Sequence, residues 1–204
     1  MLFDDRYKTI SNPAQGVYRD KGSKFLAFAY PVKQESELKT YLAALKAEHP
    51  KARHYCWALR LSPDRSVFKL NDDGEPAGTA GRPILNTILS NDLTNILIVV
   101  VRYFGGTLLG VPGLINAYKM AAADALSSAA VIELTVNDVY VLSFDYLQMN
   151  DIMKIIKENS LRILTQTFEN SCLVELEIPK SQLNTVLSRL ENIPGTTATY
   201  LRTS

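Results

Sequence analysis

"NILIVVVRYFGGTLLGVPGLINAYKMAAADALSSA" runs from Asn95 to Ala129. From Ile96 to Val101 every residue is apolar, and the first charge is Arg102. An unbroken apolar run of this length, rich in β-branched residues, suits a central strand buried on both faces. Glycines at 105, 106, 110 and 113 follow. Near Gly113 the apolar residues return at helical spacing, through Leu114, Ala117, Tyr118 and Ala121. A strand end facing a helix start leaves backbone N–H groups free for an anion. The stretch therefore predicts a mixed α and β domain with Arg102 at the mouth of a glycine loop.

Upstream lies a second glycine loop, "NDDGEPAGTAGRPIL", Asn71 to Leu85. It holds three acids, Asp72, Asp73 and Glu75, ahead of a helical run from about Pro83, a proline position compatible with a first helical turn. "KFLAFAYPV" (Lys24 to Val32), "RHYCWALRL" (Arg53 to Leu61) and "SVFKL" (Ser66 to Leu70) read as strands, the last two as a hairpin. "SELKTYLAALKAEH" reads as a helix with Leu38, Leu42 and Leu45 inward and Ser36 as its N-cap.

Beyond residue 133 the order becomes β-α-β-β-α-β. The strands are "DVYVLSFDY", "RILTQTF", "CLVELEI" and "TATYL"; the helices are "MNDIMKIIKEN" and "SQLNTVLSRLEN". "ENS" joins the middle hairpin. This is the split-βαβ, ferredoxin-like order. The expected fold is α+β in two domains, residues 1–133 and 134–204.

The 204 residues carry a net charge of +1, so any nucleic-acid site must be a local patch. The charge is uneven: +3 through Glu133 and −2 from Leu134 onward. Cys56 and Cys172 form no CxxC pair, and two reduced thiols fit a cytoplasmic protein. "MLFDDRYKTI" has aspartates where a signal peptide needs basic residues, and no apolar run reaches about 18 residues, so no membrane span is expected.

The loops admit several chemistries. Gly105 and Gly110 match the GxxxxG half of a P-loop, but Val111 and Pro112 replace the Lys and Ser/Thr that hold phosphate and magnesium. What survives is an anion site built on Arg102, Gly105 and Gly106, or else purely structural turns with Arg102 paired to Asp72 or Asp73. Gly78-Thr79-Ala80-Gly81 has the GxxG form that lets backbone approach phosphate, with Arg82 just beyond. The three acids offer metal or acid–base chemistry, or a solvated turn. His54 and Cys56, two apart on a strand, are too distant for a nucleophilic dyad. With His49 they supply at most three of the four ligands zinc requires. No cofactor motif is present, and no metal or cofactor is expected.

"KGSKF" (Lys21 to Phe25), "RHYCWA" (Arg53 to Ala58) and the two glycine loops together resemble the IMPACT / YigZ-like family, in order and spacing over most of the first 120 residues. Trp57 and Val111-Pro112 depart from the pattern without removing a charged motif residue. The resemblance implies an N-terminal ribosomal-protein-like domain with a left-handed βαβ unit, and a C-terminal domain like the last domain of elongation factor G. It also implies a link to translation, because eukaryotic relatives regulate it. Those relatives carry an extra partner-binding module, so their partner mechanism does not transfer to this chain.

The leading expectation is thus a non-enzymatic regulator that binds RNA, the ribosome or a translation factor. Lys24, Arg53, Arg82, Arg102 and Lys119 are the nominated cations, with His54 and the backbone of Gly78, Gly81, Gly105 and Gly106. The alternatives are a hydrolase using Asp72, Asp73 and Glu75 with Arg102, and a protein-interaction module acting through the C-terminal domain. Convergence of the cations in space separates the first from the rest.

Overall fold

The computed structural model describes residues 5–168 and 171–203. Contacts gather residues 7–134 into one unit, and residues 135–203 with Asp5 and Arg6 into another. The protein is α+β with two domains.

The first unit is built on a five-stranded sheet of β2 (Ala14–Asp20), β3 (Ser23–Pro31), β4 (His54–Leu61), β5 (Val67–Asn71) and β6 (Ile96–Tyr103). The spatial order is β2-β3-β6-β4-β5, and each pairing is antiparallel. Thus β6 is central. Its apolar run is continuous because both faces are covered. Ile96, Ile98 and Val100 enter a core shared with α2 (Gly81–Ser90) and α3 (Gly110–Ser127). Leu97, Val99 and Val101 enter a second core with α1 (Glu37–Glu48). Strand alternation then places Arg102 on the α2/α3 side.

β3 and β4 both run antiparallel to β6, hence parallel to each other, and α1 connects them as a βαβ unit. Ser36 occupies the N-cap position of α1 but makes no capping hydrogen bond. Glu37 instead ties down the turn before the helix: its Oε1 accepts from the N–H groups of Lys33 and Gln34, at 2.7 and 2.9 Å. Helix α3 starts three residues before the expected Gly113, with Pro112 in its first turn. Three strands lack a sequence signal. β1 (Arg6–Ile10) and β7 (Val131–Thr135) are short and form a separate two-stranded sheet, and β2 carries Gly16 in mid-strand.

Gly16 has a packing reason. A Cβ there would lie 2.1 Å from the backbone nitrogen of Ala125. Helix α3 presents Ala121, Ala122 and Ala125 to the core, so it approaches the sheet closely. Only a residue without a side chain admits its backbone at this point.

The second unit has strands β8 (Asn137–Phe144), β9 (Arg162–Phe168), β10 (Cys172–Pro179) and β11 (Thr197–Thr203), with helices α4 (Met149–Glu158) and α5 (Leu183–Glu191). The sheet order is β11-β8-β10-β9 with antiparallel pairing throughout, the arrangement the β-α-β-β-α-β succession requires. Ile152, Ile155 and Ile156 of α4 and Val186 and Leu190 of α5 bury against Leu142, Val174, Leu176 and Cys172. Of the expected hairpin connection "ENS", Glu169 and Asn170 lie outside the described residues.

Gly16→Ala should lower stability by about 1–3 kcal/mol, the range for forcing atoms into a filled core. The expected readout is a lower urea midpoint at unchanged m-value.

Candidate functional site: a cleft at Glu75 and Arg102

Antiparallel register sets Phe25 of β3, Arg102 of β6 and His54 of β4 side by side. All three lie on one sheet face, and the first glycine loop folds over them. Arg102 Nη1 donates to Glu75 Oε1 at 2.6 Å, with both side chains over nine-tenths buried. Tyr118, on α3, donates its hydroxyl to the same Oε1 at 2.7 Å. Phe25 and Phe104 hold their rings 5.4 and 5.6 Å from the guanidinium carbon, a contact that favours a cation. The expected partners of Arg102 were Asp72 or Asp73; the actual one is Glu75. Loop geometry decides this, because Asp72 and Asp73 are already engaged.

Asp72 caps the start of α2. Its Oδ1 accepts from the N–H groups of Ala80 (3.1 Å) and Gly81 (2.8 Å), and its Oδ2 from Gly78 (2.9 Å). An acceptor at a helix start satisfies donors that have no partner inside the helix. The backbone donors nominated at Gly78 and Gly81 for phosphate are therefore occupied by the protein's own carboxylate. Asp73 Oδ2 accepts from Tyr55 N at 2.6 Å. The three acids thus diverge, two to backbone and one to Arg102. Among the described residues no three His, Cys, Asp or Glu side chains stand close enough to share a metal ion. The hydrolase reading loses the convergent carboxylates it needed.

His54 Nδ1 lies 2.8 Å from the carbonyl oxygen of Asp73. A carbonyl only accepts, so Nδ1 carries a proton, and in the singly protonated tautomer this leaves Nε2 with a lone pair. That Nε2 stands 3.9 Å from Glu75 Oε1. Below them, Cys56 Sγ lies 2.9 Å from the Asp72 carbonyl oxygen and 3.3 Å from the Tyr118 hydroxyl. Burial, above all, pushes the Cys56 thiol well up, and burial likewise pushes the Tyr118 phenol up. Both stay protonated, as hydrogen-bond donors. His49 is on the other side of the sheet, against Tyr103 and Phe28.

The second glycine loop divides by role. A Cβ on Gly105 would lie 1.9 Å from the backbone carbon of Gly22, and its N–H donates to Ser23 Oγ at 3.1 Å. Gly105 is therefore a packing glycine. Gly106 has φ of +88° and open space about its α-carbon.

The nominated cations fall into three places. Arg53, His54, Glu75, Arg102, Phe104 and Leu108 line a shallow cleft of about 310 Å³. Arg82 and Lys119, with Gly78, line a groove of about 490 Å³ between α2 and α3. Lys24 pairs with Tyr103 in the β3–β6 ladder, one residue out of phase with Arg102, so it faces the opposite side of the sheet. It leaves the proposed set for that reason. Phe25, Phe104 and Leu108 had no signal in sequence, since register and loop path bring them to Arg102.

The family model for the Impact N-terminal domain matches residues 21–126, more than half of the chain. The chain belongs to the IMPACT family. The matched segment contains every nominated residue, from Lys24 to Lys119. An IMPACT family member of Haemophilus influenzae is 34% identical over 175 residues, covering 83% of this chain and 84% of that protein. The IMPACT family member YigZ of Escherichia coli is 31% identical over 173 residues, covering 84% and 85%. A crystal structure of a hypothetical protein is 27% identical, with a TM-score of 0.70, and covers 98% of this chain and 99% of its own. No helix among the described residues is long and apolar enough to cross a membrane.

In this IMPACT protein, Glu75→Gln or Arg102→Ala should each cost about 3–5 kcal/mol, because each strands a buried group whose partner is gone. Replacing both with apolar residues should cost less than the sum of the two single changes in a double-mutant cycle. Cys56 should resist alkylation at pH 8 in the folded protein and react on unfolding, since the thiolate is the reactive form.

Proposed function

We infer that this protein is a non-enzymatic, translation-linked regulator whose N-terminal domain binds RNA. The link to translation rests on the family. The observation that carries the RNA reading is the placement of three exposed cations with no carboxylate partner, Arg53, Arg82 and Lys119, in the two clefts beside one loop. Lys8, Arg19, Lys21, Lys39, Lys51 and Lys157 are likewise exposed with no carboxylate partner described, but they line neither cleft; several other basic groups are paired. Arg60 and Arg65 meet Asp92, and Lys69 meets Glu35. In the second unit Arg162, Lys180, Arg189 and Arg202 all have acidic partners.

The two clefts that hold Arg53, Arg82 and Lys119 belong to one loop. Glu75 lines the first and Gly78 the second, only three residues apart. A backbone lying along this loop meets Arg53 at one end and Arg82 with Lys119 at the other. Such contacts hold a nucleic acid without reading its bases. Both cysteines are free and buried, which fits work in the cytoplasm.

Binding to RNA or ribosomal subunits, measured by co-sedimentation or filter retention, should weaken steeply between about 50 and 200 mM salt as counterions are released. Arg82→Ala and Lys119→Ala should each weaken it and shallow the salt slope by about one unit. Their melting temperatures should stay within the narrow range of surface changes. Absence of binding at the lower salt concentration, with the protein folded, overturns the RNA reading.

A further inference from the structure

The cleft at Arg102 holds polar groups that the fold leaves unused. Arg102 commits Nη1 to Glu75, and no described hydrogen bond uses Nη2 or the buried Nε. Glu75 accepts twice on Oε1, and none of these bonds uses Oε2. Arg53 is exposed, and no partner is described for its guanidinium. With Nδ1–H facing the Asp73 carbonyl, the singly protonated ring of His54 offers Nε2 as an acceptor, 3.9 Å from Glu75 Oε1, itself an acceptor. Glu75 and Arg102 are 9% and 5% exposed, yet both line the cleft. Burying polar groups without complete satisfaction is unfavourable, so their arrangement points outward to a ligand.

The chemistry of that ligand follows from the groups. Two guanidinium groups against one carboxylate leave a single positive charge, which calls for a monoanion. Next to it, Nε2 and Oε2 are acceptors only, so they call for a hydrogen-bond donor beside the anion. Phe104, 43% exposed, and Leu108, 82% exposed, add an apolar wall. A ribonucleotide unit meets these demands. Its phosphodiester carries one negative charge, its 2′-hydroxyl donates from the adjacent sugar carbon, and its sugar and base offer apolar faces. DNA has the same charge and lacks the donor.

We propose that this cleft distinguishes RNA from DNA: Arg53 and Arg102 hold a phosphate while His54 Nε2 accepts the hydrogen bond of the neighbouring 2′-hydroxyl. The inference rests on the RNA reading above and adds specificity to it. Arg82 and Lys119, in the α2/α3 groove, contribute charge alone and do not discriminate.

The test compares the full chain binding an RNA oligonucleotide, the DNA of the same sequence, and the same RNA carrying 2′-O-methyl groups. RNA should bind about fivefold more tightly than DNA, the worth of one net hydrogen bond. The 2′-O-methyl RNA should bind as weakly as DNA, because it keeps the RNA helix geometry but has lost the donor. His54→Ala should bring the RNA-to-DNA ratio to about one, while Arg82→Ala should weaken both and leave the ratio in place. The comparison on the unaltered protein stands even if His54→Ala fails to fold. Equal binding of RNA and DNA overturns this inference and leaves the RNA-binding reading intact. RNA preference that survives 2′-O-methylation also overturns it, by assigning the preference to helix shape. Binding to neither nucleic acid removes the RNA reading and this inference with it.

Discussion

The ion pair between Arg102 and Glu75 is the constraint on which the first domain's working end depends. A guanidinium 5% exposed at the end of a strand buried on both faces has little water to satisfy it. It must find an anion in the protein or remain unpaired at high free-energy cost. Glu75 meets that need only if the Asn71–Leu85 loop folds back over the end of β6. The rings of Phe25 and Phe104 flank the guanidinium, and Tyr118 adds a donor to the same carboxylate oxygen. One buried charge thus ties together strands β3 and β6, the acidic loop and helix α3.

Asp72 does the complementary work for the helix that follows. Its carboxylate takes three backbone N–H groups at the start of α2. The loop is therefore held at two points, by Asp72 on α2 and by Glu75 on β6. Asp73 adds a third, on β4. An acidic loop with three carboxylates invites a metal-ion or catalytic reading. Each carboxylate here is engaged within the domain, and the polar capacity left over is small and specific: one oxygen of Glu75, Nε and Nη2 of Arg102, one nitrogen of His54, and the guanidinium of Arg53. The binding readings rest on this remainder.

Much of the architecture was legible in the sequence. The unbroken apolar run Ile96–Val101 located the central strand, because only a strand covered on both faces loses polar alternation. The second domain was legible in its element order, since strands and helices there alternate cleanly with period 2 and period 3.6. β1, β2 and β7 were not legible, being short or broken by glycine, with pairing that comes from distant residues. Ser36 holds the N-cap position of α1, but its side chain makes no capping bond, and Glu37, next in sequence, reaches back to the N–H groups of Lys33 and Gln34.

At the site the division is sharper. Residue types and loop positions are sequence properties, so the importance of Arg102, His54 and the acidic loop could be stated from the sequence alone. Which acid meets Arg102 could not, because three candidates lie within four residues and loop path chooses among them. Nor could the separation of Lys24 from Arg102. That separation is a matter of strand register, where a single step sends a side chain to the opposite face. Local sequence determines what each residue can bond to; only the packed sheet, by fixing face and distance, decides which of those bonds are made and which groups are left for a ligand.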